Sequence, residues 1–365
     1  MTSIRHLTDS LEQLAPPAYQ EGYDNAGLLV GDSAAEAKGV LVSLDVTEAV
    51  VEEAVAKGCN LVVAHHPLIF RPLKKLTGAT YVERTVVEAI RSGVAVYAAH
   101  TNLDHVAEGV NRRLSAVLGL EGVRILAPRK QTLRKLVSFV PVADTQRVLD
   151  ALYEAGAGQV GHYRNCSFRS EGTGTFQPDQ HANPYVGRAG VPEEVRENRI
   201  ELLFPAHLEN NVVRALRQSH PYEEVAYYLT ALENDNQEVG AGMVGQLPEA
   251  MDERAFLLHL KAKLQLSCVR HTALLGRPVR TVAVGGGAGA FLLPDALRQG
   301  ADALVTADLK YHDFFAAERA ILVADVGHYE SEVFTKNLLA EYLSEKFPNI
   351  AVVLSTTITN PVNYL

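Results

Sequence analysis

The chain has 365 residues, 47% of them hydrophobic, and its 34 Lys and Arg against 43 Asp and Glu give a formal net charge of −9. This length predicts two or three domains, with a core large enough to fold without disulfides or a structural metal. The acidic excess argues against general binding to nucleic acids or to anionic membranes, and the absence of Trp argues against a stacking platform for bases.

The cysteines and the apolar runs indicate the cellular compartment in which the protein resides. Cys59, Cys166 and Cys268 are far apart and form no CxxC pair, so the sequence supports neither a secreted disulfide framework nor a cysteine-based zinc site. The N-terminal segment lacks the continuous apolar core of a signal peptide, and no apolar run reaches the ~20 residues of a membrane span. We therefore expect a cytoplasmic protein with no membrane partner.

The first segment, residues 1–128, alternates short apolar runs with helical patterns. Ile4, Leu7, Leu11 and Leu14 recur at the spacing of one helix face, before Pro16. Three strands and three further helices are then predicted, the strands at 40–44, 61–64 and 94–98 and the helices at 47–57, 81–92 and 106–118. This order predicts a largely parallel sheet that is covered on both faces.

The second segment, residues 129–238, contains an internal repeat. Each half has the pattern strand, helix, strand, with strands predicted at 135–141, 159–168, 199–205 and 223–232. Two such halves make a βαββαβ unit, the ferredoxin-like arrangement, by duplication or by coincidence of two short patterns. The stretch between them, residues 171–190, is rich in Gly and Pro and predicts a long loop or a hairpin.

The third segment, residues 239–365, returns to the α/β pattern. Strands are predicted at 279–284, 303–306, 321–326 and 350–355, and helices at 294–299 and 331–346. We expect the first and third segments to form one α/β domain with one sheet system, interrupted by the ferredoxin-like α+β insert.

Three of the predicted strands end in residue types that bind metals. HHP at 65–67, HTNLD at 100–104 and HYESE at 328–332 each follow an apolar strand. Ligands of open α/β sheets bind beyond the carboxyl ends of the strands, so the three clusters converge if the strands are parallel neighbours. Taken singly, a histidine at a strand end is often only a hydrogen-bonded structural residue, and a His–Glu pair is often only a surface pair.

The spacing within HYESE distinguishes its two glutamates. His328 and Glu332 are four residues apart and share one helix face, whereas Glu330 points elsewhere. Glu332 is therefore the preferred ligand, and the best candidate to bridge two ions that lie ~3.5–4 Å apart. A ligand set of nitrogen and oxygen without thiolate suits zinc, iron or manganese.

At these motifs the sequence resembles the Nif-three-like family of dinuclear metal centre proteins, the GTP cyclohydrolase 1 type 2 homologues. The matching stretches lie in both outer segments and are YDNAGLLVGD, SLDVT, AHHPLIF, AAHTNLD, GGGAG, TADLKYHD and GHYESE. The resemblance implies that His65, His66, Asp104, His328 and Glu332 coordinate two divalent metal ions. The stretches GTGTFQP and HPYEE resemble the PII-like or CutA-like insert of the longer bacterial members, which are commonly homohexamers.

Two further histidines are candidates for catalysis. His100 lies four residues before Asp104 and could be a ligand, a proton carrier or a structural support of the site. His312 could act as a general acid or base, or could simply be a partly buried histidine. Asp45 ends a predicted strand and could accept a hydrogen bond from a ligand imidazole, or cap the helix that begins near Thr47.

Two stretches could meet phosphate. Arg71, Lys74 and Lys75 follow HHP closely, although such a cluster is usually a solvated surface. The glycines of 285–289 could cradle a phosphate with backbone N–H groups, or form only a tight turn, since the stretch lacks the GxxxxGK[ST] signature.

The function predicted from this site is hydrolysis through a metal-bound hydroxide, because two ions lower the pKa of bound water to roughly 7. This chemistry serves the hydrolysis of phosphate esters, amides or imidazole-type rings. A small phosphorylated or nucleotide substrate could therefore be a partner, and the resemblance implies a GTP cyclohydrolase 1 type 2-like activity. The alternative is a non-enzymatic, hexameric regulatory or metal-handling protein.

Overall fold

The computed structural model describes residues 2–365 and divides into two compact units. The outer unit comprises residues 1–127 and 239–365, and the insert comprises residues 128–238. The helices are α1 Ile4–Leu14, α2 Glu48–Ala56, α3 Tyr81–Ser92, α4 Thr101–Asp104, α5 Val110–Leu118, α6 Thr145–Glu154, α7 Glu209–Ser219, α8 Glu253–Leu264, α9 Leu293–Arg298, α10 His328–Glu332 and α11 Thr335–Lys346.

Fifteen strands alternate with these helices in the described chain. They are β1 Gly27–Val30, β2 Val40–Ser43, β3 Leu61–Ala64, β4 Ala95–Ala98, β5 Glu121–Arg129, β6 Leu133–Pro141, β7 Phe168–Phe176, β8 Glu193–Pro205, β9 Tyr227–Ala231, β10 Asn236–Met251, β11 Arg270–His271, β12 Val279–Ala288, β13 Ala303–Ala307, β14 Leu322–Asp325 and β15 Val352–Leu354.

The first sheet of the outer unit has the strand order β1-β4-β3-β2-β15. The four strands from β4 to β15 are parallel, and β1 runs antiparallel to β4. Every residue of β2, β3 and β4 is buried, because helices cover both faces. The pairing of Val352 with Val40 joins the end of the chain to its beginning in one sheet.

The second sheet of the outer unit has the order β11-β14-β13-β12-β10-β5, and β12, β13 and β14 are parallel. Strands from both outer segments therefore enter both sheets, which confirms an α/β domain built from the two ends of the chain. The expectation of one sheet system was wrong. The strand before HYESE is β14 of the second sheet, whereas the strands before HHP and HTNLD are neighbours in the first.

Local signals set the limits of several helices. Thr47 caps α2 and Thr80 caps α3, each by accepting a hydrogen bond from a backbone N–H of the first turn. Helix α3 ends at Gly93, whose φ of 64° is the left-handed conformation that glycine adopts readily. The single helix predicted at 331–346 is instead two helices, α10 and α11.

The insert is a four-stranded antiparallel sheet of order β7-β8-β6-β9 with α6 and α7 packed on one face. This βαββαβ topology confirms the ferredoxin-like prediction. The strand predicted at 159–168 was wrong, because this stretch holds a turn closed by a single bridge between Val160 and Tyr163. Strand β7 begins only at Phe168 and runs to Phe176, mostly inside the stretch predicted as a loop or hairpin. Most residues of β7 are exposed, so the strand carries no hydrophobic alternation.

None of the helices in the described chain is long and apolar enough to cross a membrane.

Candidate metal centre

Side chains from both sheets of the outer unit meet at the carboxyl ends of their parallel strands. His65 and His66 directly follow β3, and His100 precedes the short helix α4, which ends at Asp104. His328 and Glu332 are the first and last residues of α10, which begins three residues after the end of β14. The strand-end clusters therefore converge, although they come from two sheets that end at one place.

The carboxylate of Glu332 lies between two groups of donor atoms. Its Oε2 is 2.9 Å from His66 Nε2 and 3.0 Å from His328 Nε2. Its Oε1 is 3.7 Å from His65 Nε2, which is also 3.7 Å from Asp104 Oδ1. Glu332 is buried, with 3% of its surface exposed. One carboxylate therefore faces two groups, His65 with Asp104 and His66 with His328.

Each of these three histidines is oriented by a hydrogen bond from its other ring nitrogen. Nδ1 of His65 lies 2.7 Å from the carbonyl oxygen of Ala99. Nδ1 of His66 lies 2.7 Å from Asp45 Oδ1, and Nδ1 of His328 lies 2.7 Å from Asp308 Oδ2. Carbonyl and carboxylate oxygens only accept, so each Nδ1 carries the proton. Each ring therefore turns its Nε2 to the centre of the site, where this nitrogen can bind a metal ion once it has lost its proton.

Two buried atoms support the fit to a metal ion. His65 Nε2 and Asp104 Oδ1 have no hydrogen-bond partner among the described residues. Buried polar atoms are costly when they are left without a partner, and these two face each other across 3.7 Å. Three groups of histidine and carboxylate atoms lie close enough to hold an ion, namely His65/Asp104/Glu332, His66/His328/Glu332 and His65/His66/His100.

The carboxylates also govern the protonation of the rings. Burial disfavours the charged form of His66, but its hydrogen bonds with Asp45 and Glu332 outweigh burial and raise its pKa to about 10. In the same way, Glu332 and Asp308 raise the pKa of His328 to about 9 against the effect of burial. A divalent ion at these rings must therefore displace protons, which makes its affinity dependent on pH.

His100 belongs to the same site through its neighbours. Its ring centroid is 5.4 Å from that of His65 and 5.6 Å from that of His66, and its Nδ1 lies 2.7 Å from Asp24 Oδ1. Burial opposes the ionisation of Asp24, but hydrogen bonds from His100 and Thr101 hold the pKa of its carboxyl well below the ordinary value. The ionised Asp24 thus orients His100 as Asp45 orients His66.

The glycine-rich stretch 285–289 makes room for Glu332. A Cβ on Gly287, whose φ is 60°, would lie 2.4 Å from Glu332 Oε1. The backbone N–H of Gly286 donates to Asn111 Oδ1, and that of Gly287 donates to Ser331 Oγ. These two amides are therefore already bound within the protein, which favours the tight-turn interpretation over the phosphate cradle.

The C-terminal segment reaches the site from the side of Asp45. Thr359 Oγ1 donates to Asp45 Oδ2 at 2.5 Å, and Asn360 Nδ2 donates to Glu330 Oε1 at 3.0 Å. Asp45 is therefore the acceptor for His66 rather than the cap of α2, which is Thr47. Glu330 is turned to this segment, whereas Glu332 is turned to the histidines.

A cleft of about 720 Å³ opens in front of the cluster. His66, His100, Asp104, His328 and Glu332 line it. The exposed rings of Tyr23 and Phe70 stand at its rim, with centroids 6.3 Å apart. Its volume is that of a small-molecule site.

The remaining candidates do not line this cleft. His312 is exposed and its ring contacts those of Tyr311 and Phe315, so its catalytic role stays a prediction. The exposed Arg71, Lys74 and Lys75 are likewise absent from the described residues around the cleft, and phosphate binding by them stays a prediction.

Sequence reasoning missed three residues that orient the site. Asp308 directly follows β13, so the strand-end rule that found the histidines could also have found it. Asp24 lies within the motif YDNAGLLVGD, but no local pattern connects it with His100, 76 residues away. Thr359 carries no signal, because its contact with Asp45 spans 314 residues of chain.

The chain is similar in sequence and in fold to proteins of one known family. Residues 2–361 match the family Duf34/NIF3 (NGG1p interacting factor 3). A GTP cyclohydrolase 1 type 2 homolog of Bacillus subtilis is 40% identical over 366 residues, covering 99% of this chain and 98% of that protein. Its namesake from Halalkalibacterium halodurans is 39% identical and covers 97% and 96%. The crystal structure of a Bacillus cereus protein related to NIF3 has 37% identity and a TM-score of 0.88, with 100% of this chain and 99% of that one covered.

Proposed function

Because the chain belongs to the DUF34/NIF3 family, we propose that it is a metal-dependent hydrolase that holds two divalent ions around Glu332. The observation that carries this proposal is the position of that carboxylate, which faces His65 on one side and both His66 and His328 on the other. A bridging carboxylate is the usual means of holding two ions ~3.5–4 Å apart.

The ligand sets follow from the two groups. His65, Asp104 and Glu332 would hold one ion, and His66, His328 and Glu332 the other. Imidazole and carboxylate suit zinc, iron or manganese. When bound, such ions acidify water and polarise the bond that is cleaved.

The chain's own residues prepare the site for this chemistry. Asp24 accepts the Nδ1–H of His100, which leaves His100 Nε2 free to hold or pass a proton beside His65 and His66. The rings of Tyr23 and Phe70 at the rim of the cleft would hold a planar substrate and exclude water from the face that they cover. The names of the relatives make GTP the first substrate to test, followed by a panel of phosphoesters.

The test is the metal content of the purified protein together with its turnover. We expect about two equivalents of metal per subunit, less metal in His65→Ala, and loss of turnover in that variant without loss of assembly. His162→Ala is the matched control, because it removes an exposed histidine of the insert that does not line the cleft, and it should keep both ions and the turnover. Absence of bound metal after reconstitution with zinc, iron or manganese would contradict the proposal.

The second candidate function is the non-enzymatic handling of metal ions. The observation that favours it is the exposure of His328, whose side chain is 38% exposed while that of His65 is fully buried. An ion held by His328 would therefore be open to exchange with solvent. Two bound ions that exchange rapidly, with no turnover of GTP or any phosphoester, would favour this function over hydrolysis. The homohexamer expected from the resemblance would be tested in the same preparation by its mass in solution.

A further inference from the structure

The insert has a cleft of its own, of about 950 Å³, on the face of its sheet opposite α6 and α7. Strands β6, β7, β8 and β9 supply its floor, and the loop that follows β7 forms its rim. All of the candidate metal-binding groups in the described chain lie in the outer unit, so the metal centre does not account for this cleft.

A buried carboxylate lies at the floor of this cleft. Glu197 on β8 has 7% of its surface exposed, and its Oε1 accepts a hydrogen bond of 2.8 Å from the hydroxyl of Tyr222. Its Oε2 has no donor among the described residues. This oxygen is not among the buried polar atoms that lack a partner, so it is open to the cleft and can accept from a ligand.

The neighbouring strand is built around this carboxylate. Gly172 and Gly174 of β7 pair with Glu197 and Val195 of β8. A Cβ on Gly174 would lie 2.2 Å from Glu197 Oε2, so a side chain at this position would displace the carboxylate. The strand thus leaves open the space that Glu197 occupies.

Aromatic rings stand on both sides of the floor. The ring centroid of Tyr222 is 6.0 Å from that of Phe176 and 6.2 Å from that of Tyr185, while Phe139 and Tyr228 form a second pair at 5.9 Å. Tyr185 and Tyr228 are 59% and 60% exposed, so their faces are available to a ligand. Aromatic faces attract cations within about 6 Å.

The charges of the lining also favour a cation. Five carboxylates line the cleft, namely Glu171, Asp179, Glu197, Glu223 and Glu224. Arg199 is the one Lys or Arg among the described lining residues, and its guanidinium is 2.8 Å from Glu201, which does not line the cleft. Glu171 is itself paired with Arg196, which does not line the cleft, so the other four carboxylates give the lining its excess of negative charge.

We propose that this cleft binds a small organic cation, whose ammonium, amidinium or guanidinium group meets Glu197 while its body lies against Tyr185 and Tyr222. The volume of the cleft admits a ligand of this kind. The site is separate from the metal centre, and the proposal does not depend on the hydrolase function.

The test uses benzamidinium as the probe, with benzamide as its uncharged counterpart of nearly equal shape. Calorimetric titration of the full-length protein should show benzamidinium binding about tenfold or more tightly than benzamide, because only the cation pairs with the carboxylate and the rings. Glu197→Gln should abolish this preference. Glu194→Gln is the matched control, since it removes the same charge from the same strand outside the cleft and should retain the preference.

A second variant keeps the proposal open to refutation if Glu197→Gln does not fold. Tyr185→Ala removes an exposed ring of the cleft and should weaken benzamidinium binding several-fold, whereas Tyr163→Ala, an exposed tyrosine outside the lining, should not. Equal binding of benzamidinium and benzamide, or binding unchanged in both cleft variants, would overturn the proposal. A changed assembly mass in either cleft variant would also overturn it, because a second copy of the chain would then occupy the cleft.

Discussion

The outer unit and the insert place their polar side chains in different ways. In the outer unit, side chains from the segments that follow the parallel strands meet, such as His66 just after β3 and His328 three residues after the end of β14. In the insert, an antiparallel sheet exposes one face, and Glu197 lies in the middle of a strand with aromatic rings around it. The difference shows that a site at strand ends is set by the residues that follow each strand in the sequence. A site on a sheet face depends instead on which strands pair and in which register.

The largest effect that we expect is a loss of bound metal, and it should distinguish Glu332 from Glu330 in the outer unit. Glu332→Ala removes the carboxylate that both groups of histidines face, so we expect it to bind neither ion, whereas Glu330→Ala should bind both. Elemental analysis measures the metal content of each variant. Benzamidinium binding at the insert should be equal in the two variants, and its loss in Glu332→Ala would break the separation of the two sites.

The next effect concerns the orientation of His66. Asp45→Asn weakens the hold on His66 Nδ1, and loss of such a partner typically costs 10–100-fold in metal affinity. Competition with a chelating indicator would measure this. Asp150→Asn changes an exposed carboxylate of the insert and should leave the affinity as it is. Equal affinities in the two variants would show that Asp45 does not position the ligand.

A third prediction concerns the C-terminal segment that carries Thr359. Glu53 accepts hydrogen bonds from the hydroxyls of Ser355 and Thr357, so Glu53→Gln should lower the free energy of unfolding by about 3 kcal/mol. The neighbouring Glu52→Gln, at an exposed position, should change it little. Chemical denaturation measures both values.

The same carboxylate predicts a dependence on pH. Burial opposes its ionisation, but the hydrogen bonds from Lys57, Ser355 and Thr356 hold the pKa of Glu53 below the ordinary value. The stabilisation is therefore complete above about pH 4.3, the ordinary value, and is lost as the pH falls further. The difference in unfolding free energy between the native chain and Glu53→Gln should shrink on acidification, and a difference that is constant with pH would contradict this.

The smallest effect that we expect is a change in the free energy of unfolding when one tyrosine of each unit is replaced by phenylalanine. The hydroxyl of Tyr97 is buried without a hydrogen-bond partner among the described residues, so Tyr97→Phe should leave the free energy of unfolding unchanged or raise it by about 1 kcal/mol. The hydroxyl of Tyr222 donates to Glu197, so Tyr222→Phe should lower it by about 1 kcal/mol. Equal changes in the two variants would remove the distinction between these hydroxyls.

Features that depend on residues close in the chain could be predicted from the sequence, whereas features that depend on strand pairing could not. The buried strands of the outer unit are continuous apolar runs, and the convergence of His65, Asp104 and Glu332 follows from their places in the segments that come after strands. The ligand assignment itself stays a prediction. The sequence does not reveal that β14 belongs to a second sheet, because strand order is decided by contacts distant in the chain. For the same reason, no pattern connects Gly174 with Glu197 before β7 and β8 are known to pair.

The pairing of the insert's first and last strands has a consequence for how the chain folds. Strand β6 pairs with β9, and Asn236 donates to Thr132, so the folded insert brings its own two ends together. The outer unit must join residues far apart in sequence, such as Val352 with Val40, and contacts of such separation fold slowly because a long loop has to close first. An insert that folds early replaces more than a hundred residues of flexible loop by a short closed connection. On the ribosome, His65 and His66 emerge early, whereas α10 is made near the end of synthesis. The cluster can form only after α10 has been added.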